Sequence, residues 1–472
     1  MLVAAAVCTG QNTSPQGPIN VLFVIHTDPL AAPEGKVSKA AYESQRDNLA
    51  WLADYFNEIE RKRGREFVPM LTLEIAGDHA EYYSVDPVGF ALLKRLHARG
   101  HELGIHFHTN YKAGPHHWLD GRSDNTPEMR RRVTEDHIRE VDALVAKIIG
   151  SNDPAIVRKT NHTIQGHFLD NAIALDKGFY ITTTGQSEVF NNYFDHDPLT
   201  PWRLPSLRPG VWQLAEDRKG PWIMLPGAAV LGIIGKHVAW LDLSPVGMRR
   251  KFLQVYLEWR AAQLAPDRSK QRVWVLGWHE HTANIAGDDG RYGDRQNLRD
   301  EVVEFVTWLN ENFINRRASN GSLIARYATA DTTATAFKNW EGTHTDQSSF
   351  NYPGRTTDWN AYPHQLPGLA RQLMFAQHEG EVPGFSAKRV QVHRLRKTDG
   401  PNWSVKDGKI VNSSRVWPIY LMWSDDGEKT FDFSGTVAGS MTCVDAAKGA
   451  EMTVKPTAVR VGTTPIVCAA AP

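Results

Sequence analysis

From residue 20 to residue 313 the chain alternates short apolar runs of strand length with longer amphipathic segments, and that alternation admits few architectures. Residues 20–25 form a short apolar run read as a first buried strand, ending at His26, Thr27, Asp28 and Pro29. Residues 41–63 follow as an amphipathic helix, with Leu49, Leu52, Tyr55, Phe56 and Ile59 on one face and Lys62, Arg63 and Gly64 at its stop. A strand is expected over 67–75, a helix over 86–98 and a strand over 103–108. Thr126, Pro127 and Glu128 open a helix over 126–149. Further strands are expected over 155–158, 180–184, 222–225 and 272–278, with helices over 169–177, 245–264 and 297–313. Strands separated by helices pair in parallel, so the first 300 residues read as α/β.

Chemistry-bearing side chains collect where these strands end. In the third strand Leu103, Ile105 and Phe107 alternate with Gly104, His106 and His108, so the two histidines project to one side. Paired imidazoles at a strand end are common transition-metal ligands. The segment is not a zinc-protease motif, which needs two histidines four apart on a helix, whereas His101 and His106 are five apart in a strand. His26 and Asp28 close the first strand and Glu74 lies in the second. Arg158, Asn161 and His162 follow the expected fourth, and His279, Glu280 and His281 close the late one. In a β/α barrel the strand ends form the catalytic face.

Equal numbers of basic and acidic residues, 53 each, give no global field to recruit nucleic acid or an acidic membrane. No run reaches the ~18 apolar residues of a membrane span. Residues 1–19 read as the remnant of an export signal or a disordered terminus, and the alanines before Cys8 hint at a lipoprotein processing site. The expected location is accordingly secreted, periplasmic or lipid-anchored at the cell surface. After Phe337 the texture turns to Asn, Thr, Ser, Pro and Gly with short β-like runs at 390–392, 416–423, 430–433, 452–454 and 465–468; residues 369–377 are the one candidate helix. The expected division is 1–19, an α/β unit over 20–337, and a β-sandwich over 338–472. Cys443 and Cys468 lie close enough in sequence to pair, leaving Cys8 alone.

The order of segments resembles the polysaccharide deacetylase superfamily, over roughly residues 20–335. Leu93 through His106 is similar to that family's metal-histidine segment, and Val21 through Pro29 stands where it has an acidic first-strand motif. Arg158 with the region from Leu175 to Phe179 resembles its arginine segment, and Trp274 through His279 its closing histidine motif. Two departures stand out. The family has two adjacent aspartates where this chain has Thr27 and Asp28, and its second metal histidine lies four after the first, where this chain has Asn110; His108, or less readily His116 or His117, is the substitute.

The resemblance implies a distorted (β/α) barrel that removes acetyl groups from a polysaccharide or oligosaccharide. A divalent metal, zinc by preference, would be held by Asp28, His106 and His108. Asp28 or Glu74 would act as base and His279 as acid, with Arg158, His162 and Trp202 contacting substrate or its surroundings. Trp212 and Trp222 are further candidates for stacking on sugar rings. Two other readings stay open: a glycoside hydrolase using Glu74 and Glu280, which leaves the histidine pair idle, and a non-catalytic carbohydrate-binding barrel.

Overall fold

The computed structural model describes residues 17–27, 30, 37–121, 124, 126–166, 169–183, 199–206, 216–226, 229–230, 271–283, 285, 298–318, 321–349, 376–398, 403–406, 409–412, 416–445, 451–462 and 465–470, with isolated positions between 248 and 262. Its first unit opens with β1 (Ile19–His26), α1 (Lys39–Arg63), β2 (Leu71–Ile75), α2 (Gly77–Tyr83), α3 (Pro87–Ala98) and β3 (Glu102–Phe107). A hairpin, β4 (Asn110–Gly114) and β5 (His117–Asp120), precedes α4 (Pro127–Ile149), α5 (Pro154–Thr160), β6 (Thr163–Gly166), α6 (Asn171–Asp176) and β7 (Ile181–Thr183). Then come β8 (Trp202–Leu204), β9 (Trp222–Leu225), β10 (Ala229–Val230), β11 (Val275–His281), α7 (Leu298–Asn312), β12 (Ala325–Ala328) and α8 (Ala330–Thr343).

Ten of these strands form one mixed sheet in the order β10-β11-β1-β2-β3-β6-β7-β9-β8, with β12 also on β1. All described pairings are parallel except β8 with β9. Period-two alternation sorts the side chains into two cores. Ile19, Val21, Phe23 and Ile25 of β1, with Leu71, Leu73, Leu103 and Ile105, face outward into the helix layer. Leu22 and Val24 face inward, where they meet Ile181, Ile223, Leu225 and Val275 around Ala330, Ala334, Phe337 and Trp340 of α8. The inner face is therefore concave, and α8 fills part of it.

One hydrogen bond gives the curvature a scale. Thr183 Oγ1 of β7 donates to Glu74 Oε1 of β2 at 2.9 Å. Three strand spacings separate these strands, about 14 Å in a flat sheet. The sheet is rolled into an α/β half-barrel, and among the described strands it does not close.

Several expectations change here. The segment 155–158, read as a strand, is helix α5: Asp153 caps it by accepting from Ala155 N–H and Pro154 occupies its first turn. The strand comes later, at β6. Gln377 and its neighbours, read as the end of a helix, begin β13 (Ala376–Glu381), while 369–375 and most of the helix expected over 245–264 lie outside the described residues. Helix α8 continues to Thr343, past the change of texture at Phe337.

The second unit continues with β14 (Val390–Thr398), β15 (Trp403–Lys406), β16 (Lys409–Asn412), β17 (Val416–Ser424), β18 (Lys429–Phe431), β19 (Met441–Asp445), β20 (Glu451–Val454), β21 (Val459–Val461) and β22 (Ile466–Ala470). Six of its strands make an antiparallel sheet, β13-β14-β17-β22-β19-β20, and β18 pairs with β21. Val459 and Val461 of β21 and Phe431 of β18 pack with Tyr420, Met422 and Cys443 from one face of that sheet. Leu395, Ile419, Leu421, Trp423 and Val467 from its other face join the core of the α/β unit. Cys443 and Cys468, opposite one another on β19 and β22, form a disulfide. No helix among the described residues is long and apolar enough to cross a membrane.

Candidate functional site

The inward alternation that buries Leu22 and Val24 also carries His26 to the C-terminal end of β1. On β2 it carries Thr72 and Glu74 inward, on β3 Glu102, Gly104 and His106, and on β6 Thr163 and Gln165. Registers align these into layers: His26 pairs with Glu74 and with His281, Glu74 with Gly104, and His106 with Gln165. The top layer is a cluster of imidazoles. His26 Nδ1 lies 3.1 Å from His106 Nε2, which lies 2.7 Å from His108 Nε2. The His281 ring centroid is 4.1 Å from that of His26. His26 and His106 are buried.

A single ring nitrogen carries either a proton or a lone pair. His106 Nε2 therefore cannot donate to one neighbour while accepting from the other, and it meets the two as an acceptor from both or a donor shared between them. The chemistry of this donor set suits a divalent first-row cation. Bonds of ~2.0–2.1 Å to nitrogens at these separations subtend roughly 80–100°, within the range of common coordination geometries. As the rings stand, their nitrogens contact one another, and no group of three or more His, Cys, Asp or Glu among the described residues surrounds a common point as a metal site does.

Glu74 shares the layer of His26 and lies one layer below His106, with no solvent exposure. Burial drives its carboxyl well above the usual carboxylate range, the Thr183 hydroxyl opposes this, and the charge of Glu102 adds to it. Its affinity for a proton is thereby raised. Its side chain crosses Gly104, where a Cβ would stand 3.2 Å from Glu74 Cγ and 2.9 Å from the Thr163 carbonyl oxygen.

The loops above the strands are braced from behind. Thr27, in the place of an expected second acid, ties β1 to β2: its Oγ1 accepts from Ala76 N–H at 2.8 Å. Asp78 Oδ2 accepts from Leu30 N–H at 2.8 Å and Asn110 Nδ2 at 3.1 Å, joining the segments that leave β1, β2 and β3. Burial pushes Asp78 up to about 6, against the hydrogen bonds it accepts. His137 Nδ1 accepts from Gly77 N–H at 2.9 Å and its Nε2 donates to the Asn110 carbonyl at 3.0 Å, fixing the hairpin β4–β5 next to His108.

The residues named from sequence separate into groups. Glu74, His106 and His108 share the concave face, and His26, a strand-end residue with no role assigned, joins them. Asp28 lies outside the described residues. His279 occupies a position on β11 in register with Val24, and its side chain lies outside the described residues. Arg158 and His162 precede β6 rather than following a strand, which puts them at the opposite end of the sheet from the histidines. Arg158 Nη2 pairs with Asp142 Oδ2 at 2.7 Å and its guanidinium lies 3.6 Å above the Phe179 ring. His162 Nε2 lies 3.0 Å from Asp331 Oδ1. Trp202 and Trp222 are wholly buried and offer no ring face to a sugar; Trp212 lies outside the described residues. Glu280 is in register with outward-facing Ile25, on the other side of the sheet from Glu74.

The sequence reading passed over Asp78 and Thr183. Asp78 follows Ala76 and Gly77 at a strand end, a turn signal available in the sequence, but Thr183 is tied to Glu74 only by the curvature of the sheet.

No protein-family model matches the chain, and no curated protein does. Among solved structures, a Mycobacterium smegmatis protein provisionally described as a polysaccharide deacetylase shares 13% identity at a TM-score of 0.36, over 70% of this chain and 96% of that one. The 4-alpha-glucanotransferase of Thermococcus litoralis shares 13% at 0.35, over 67% of this chain and 38% of that one. An Anoxybacillus alpha-amylase shares 8% at 0.31, over 96% of this chain and 98% of that one. Likenesses of this extent carry no argument about fold or activity, and the site's own geometry has to bear the functional reading.

Proposed function

We propose that this protein is a metal-dependent hydrolase that removes acetyl groups from a polysaccharide or oligosaccharide. The observation that carries the reading is the meeting of the His26, His106 and His108 ring nitrogens beside a buried Glu74. His106 and His108, with His26 or Asp28, would hold a divalent cation, zinc by preference. Bound there, it would polarise the acetyl carbonyl and acidify a water.

The chain's own groups supply the rest. Asp28 would take the proton of the attacking water, and Glu74, whose proton affinity burial raises, or His279 would pass one to the departing amine or alkoxide. Gly104 leaves room for the Glu74 side chain to cross β3. The bracing of Asn110 and Leu30 by Asp78 fixes the loops that flank the cluster. A glycoside hydrolase reading is weaker, since Glu74 and Glu280 belong to opposite faces and cannot flank one bond.

The test combines metal analysis of the purified full chain with acetate release from a panel of N- and O-acetylated glycans. About one divalent ion per chain, lost in the double variant His106→Ala/His108→Ala together with acetate release, is the expected result. Glu74→Gln and His279→Ala should each be tried for a roughly 10²–10⁴-fold loss with metal retained. A metal-free chain, or full turnover in the double variant, would overturn the proposal.

A further inference from the structure

At the other end of the inner face lies a second buried cluster, two residues below Glu74 on β2 and β3. Glu102 is fully buried there, and three elements donate to it. Thr72 Oγ1 of β2 donates to Glu102 Oε2 at 3.1 Å, Asp331 N–H of α8 donates to the same oxygen at 2.9 Å, and Thr163 Oγ1 of β6 donates to Oε1. Thr72 Oγ1 also accepts from Ala330 N–H at 2.8 Å. His162 Nε2 stands 3.0 Å from Asp331 Oδ1 and 4.0 Å from Glu102 Oε1, while its Nδ1 donates to the Lys159 carbonyl at 3.0 Å. Nδ1 is thus hydrogen-bonded, while Nε2 faces the Asp331 carboxylate at ion-pair distance without hydrogen-bond geometry, an electrostatic contact that favours the imidazolium.

We propose that Glu102, His162 and Asp331 form a proton-linked clasp that seats the N-terminus of α8 under the concave face and thereby positions Glu74. The clasp ties α8 to β2, β3 and β6, the strands that surround Glu74. Without it, α8 is held in the half-barrel by the apolar contacts of Ala330, Ala334, Phe337 and Trp340, the Arg203–Glu341 ion pair and the Trp340 Nε1 hydrogen bond to the Gln271 carbonyl. Helix α8 also presents its amide dipoles and two N–H groups to Glu102 and Thr72, which offset part of the burial that raises the proton affinity of Glu102.

The sign of the pH dependence follows from the partners. Burial opposes a charge on His162, but the Asp331 contact, the charges of Glu102 and Asp331 and the Lys159 carbonyl outweigh it, and the ring's proton affinity is raised. Asp331 is correspondingly lowered, chiefly by the His162 contact. The other ionisable groups around the ring are Tyr180, stacked on it at 5.3 Å, Lys338, whose Nζ lies 3.7 Å over the Tyr180 ring, and Lys159. A base whose folded-state affinity is raised gives stability that is complete below its unfolded pKa, ~6.5, and is lost as pH rises through the folded value.

The proposal rests on the catalytic reading only for what it does to Glu74, and the clasp itself is tested without turnover. Hydrogen exchange of α8 in the full chain, corrected for intrinsic rates, is followed by mass spectrometry from about pH 6 to about pH 9. Protection of α8 should fall roughly tenfold for each pH unit by which His162 is raised. His162→Gln and Asp331→Asn should both flatten that dependence. Should His162→Gln fail to fold, Asp331→Asn, at a half-exposed position, and the NMR titration of the His162 ring in the wild-type chain decide the matter. Protection of α8 that ignores pH, an Asp331→Asn variant that keeps the wild-type slope, or a ring that titrates at or below ~6.5 would overturn the clasp. A chain that shows the exchange behaviour but releases no acetate would leave the clasp standing and remove the proposed function.

Discussion

Gly104 lies between Glu74 and Thr183 on the inner face, and its lack of a side chain lets the two meet across β3. A Cβ at this position would stand 2.9 Å from the Thr163 carbonyl oxygen, part of a backbone that cannot move without the sheet, and 3.2 Å from Glu74 Cγ. Gly104→Ala should therefore cost about 1–3 kcal/mol, as overpacking generally does. Urea unfolding measures that loss, and an unchanged midpoint would show that the strands give way freely. The same residue marks the limit of what was legible in the sequence. The shared side of His106 and His108 followed from period-two alternation alone, whereas Glu74 could be placed in the second strand but not on a face. That Glu74 reaches Thr183, and that His26 rather than a distant side chain meets His106, depends on register and curvature, which local patterns do not encode.

At the scale of elements, α1, α3 and α4 follow the sequence closely because cap, apolar stripe and stop agree in each: Ser38, Asp86 and Thr126 all accept a first-turn N–H. The segment 155–158 misled because Ile156 and Val157 favour strands, while the helix signal sits just upstream in Asp153 and Pro154. Helix α8 escaped notice because the first half of its buried face, Ala330, Thr333 and Ala334, is too small to stand out as a stripe with Phe337 and Trp340. The hairpin β4–β5 was likewise unreadable, since what holds it is a set of remote groups, Glu81, Asp136, His137 and Glu140. That histidine bears a consequence for pH. Burial lowers His137 to about 4, and lowers His101 to about 3 with help from the charges of Arg65 and Arg99. Both use Nδ1 as an acceptor, from Gly77 N–H and Leu71 N–H. The unfolded chain binds protons to these rings near pH ~6.5 and the folded chain does not, so stability should fall as pH drops from ~6.5 towards 4. Urea midpoints across that interval check it. His137→Phe should shallow the slope at a cost of about 1–3 kcal/mol for each backbone group left unpaired, and a slope untouched by the substitution would assign the acid loss elsewhere.

For the whole molecule, the question is whether the α/β half-barrel and the β-sheet unit behave as one body. The six-stranded sheet has two apolar faces, and its own strands β18 and β21 cover only one of them. The other is covered by the α/β unit, where Trp423 packs against Tyr256 at 5.4 Å between ring centroids and stacks on His393 at 4.9 Å. Trp423 is 3% exposed, so nearly all of its ring surface is removed from water by this contact. Neither unit can expose that face cheaply, which argues for cooperative unfolding in a single transition. Trp423→Ala removes the largest side chain that the sheet contributes to the shared core and should cost about 3–5 kcal/mol. Because the loss falls on the interface rather than within either unit's own core, calorimetry should show one transition in the wild-type chain and two in the variant. Two transitions already present in the wild-type chain would mean that the units are independent, and that the second is attached to the half-barrel without being part of its stability.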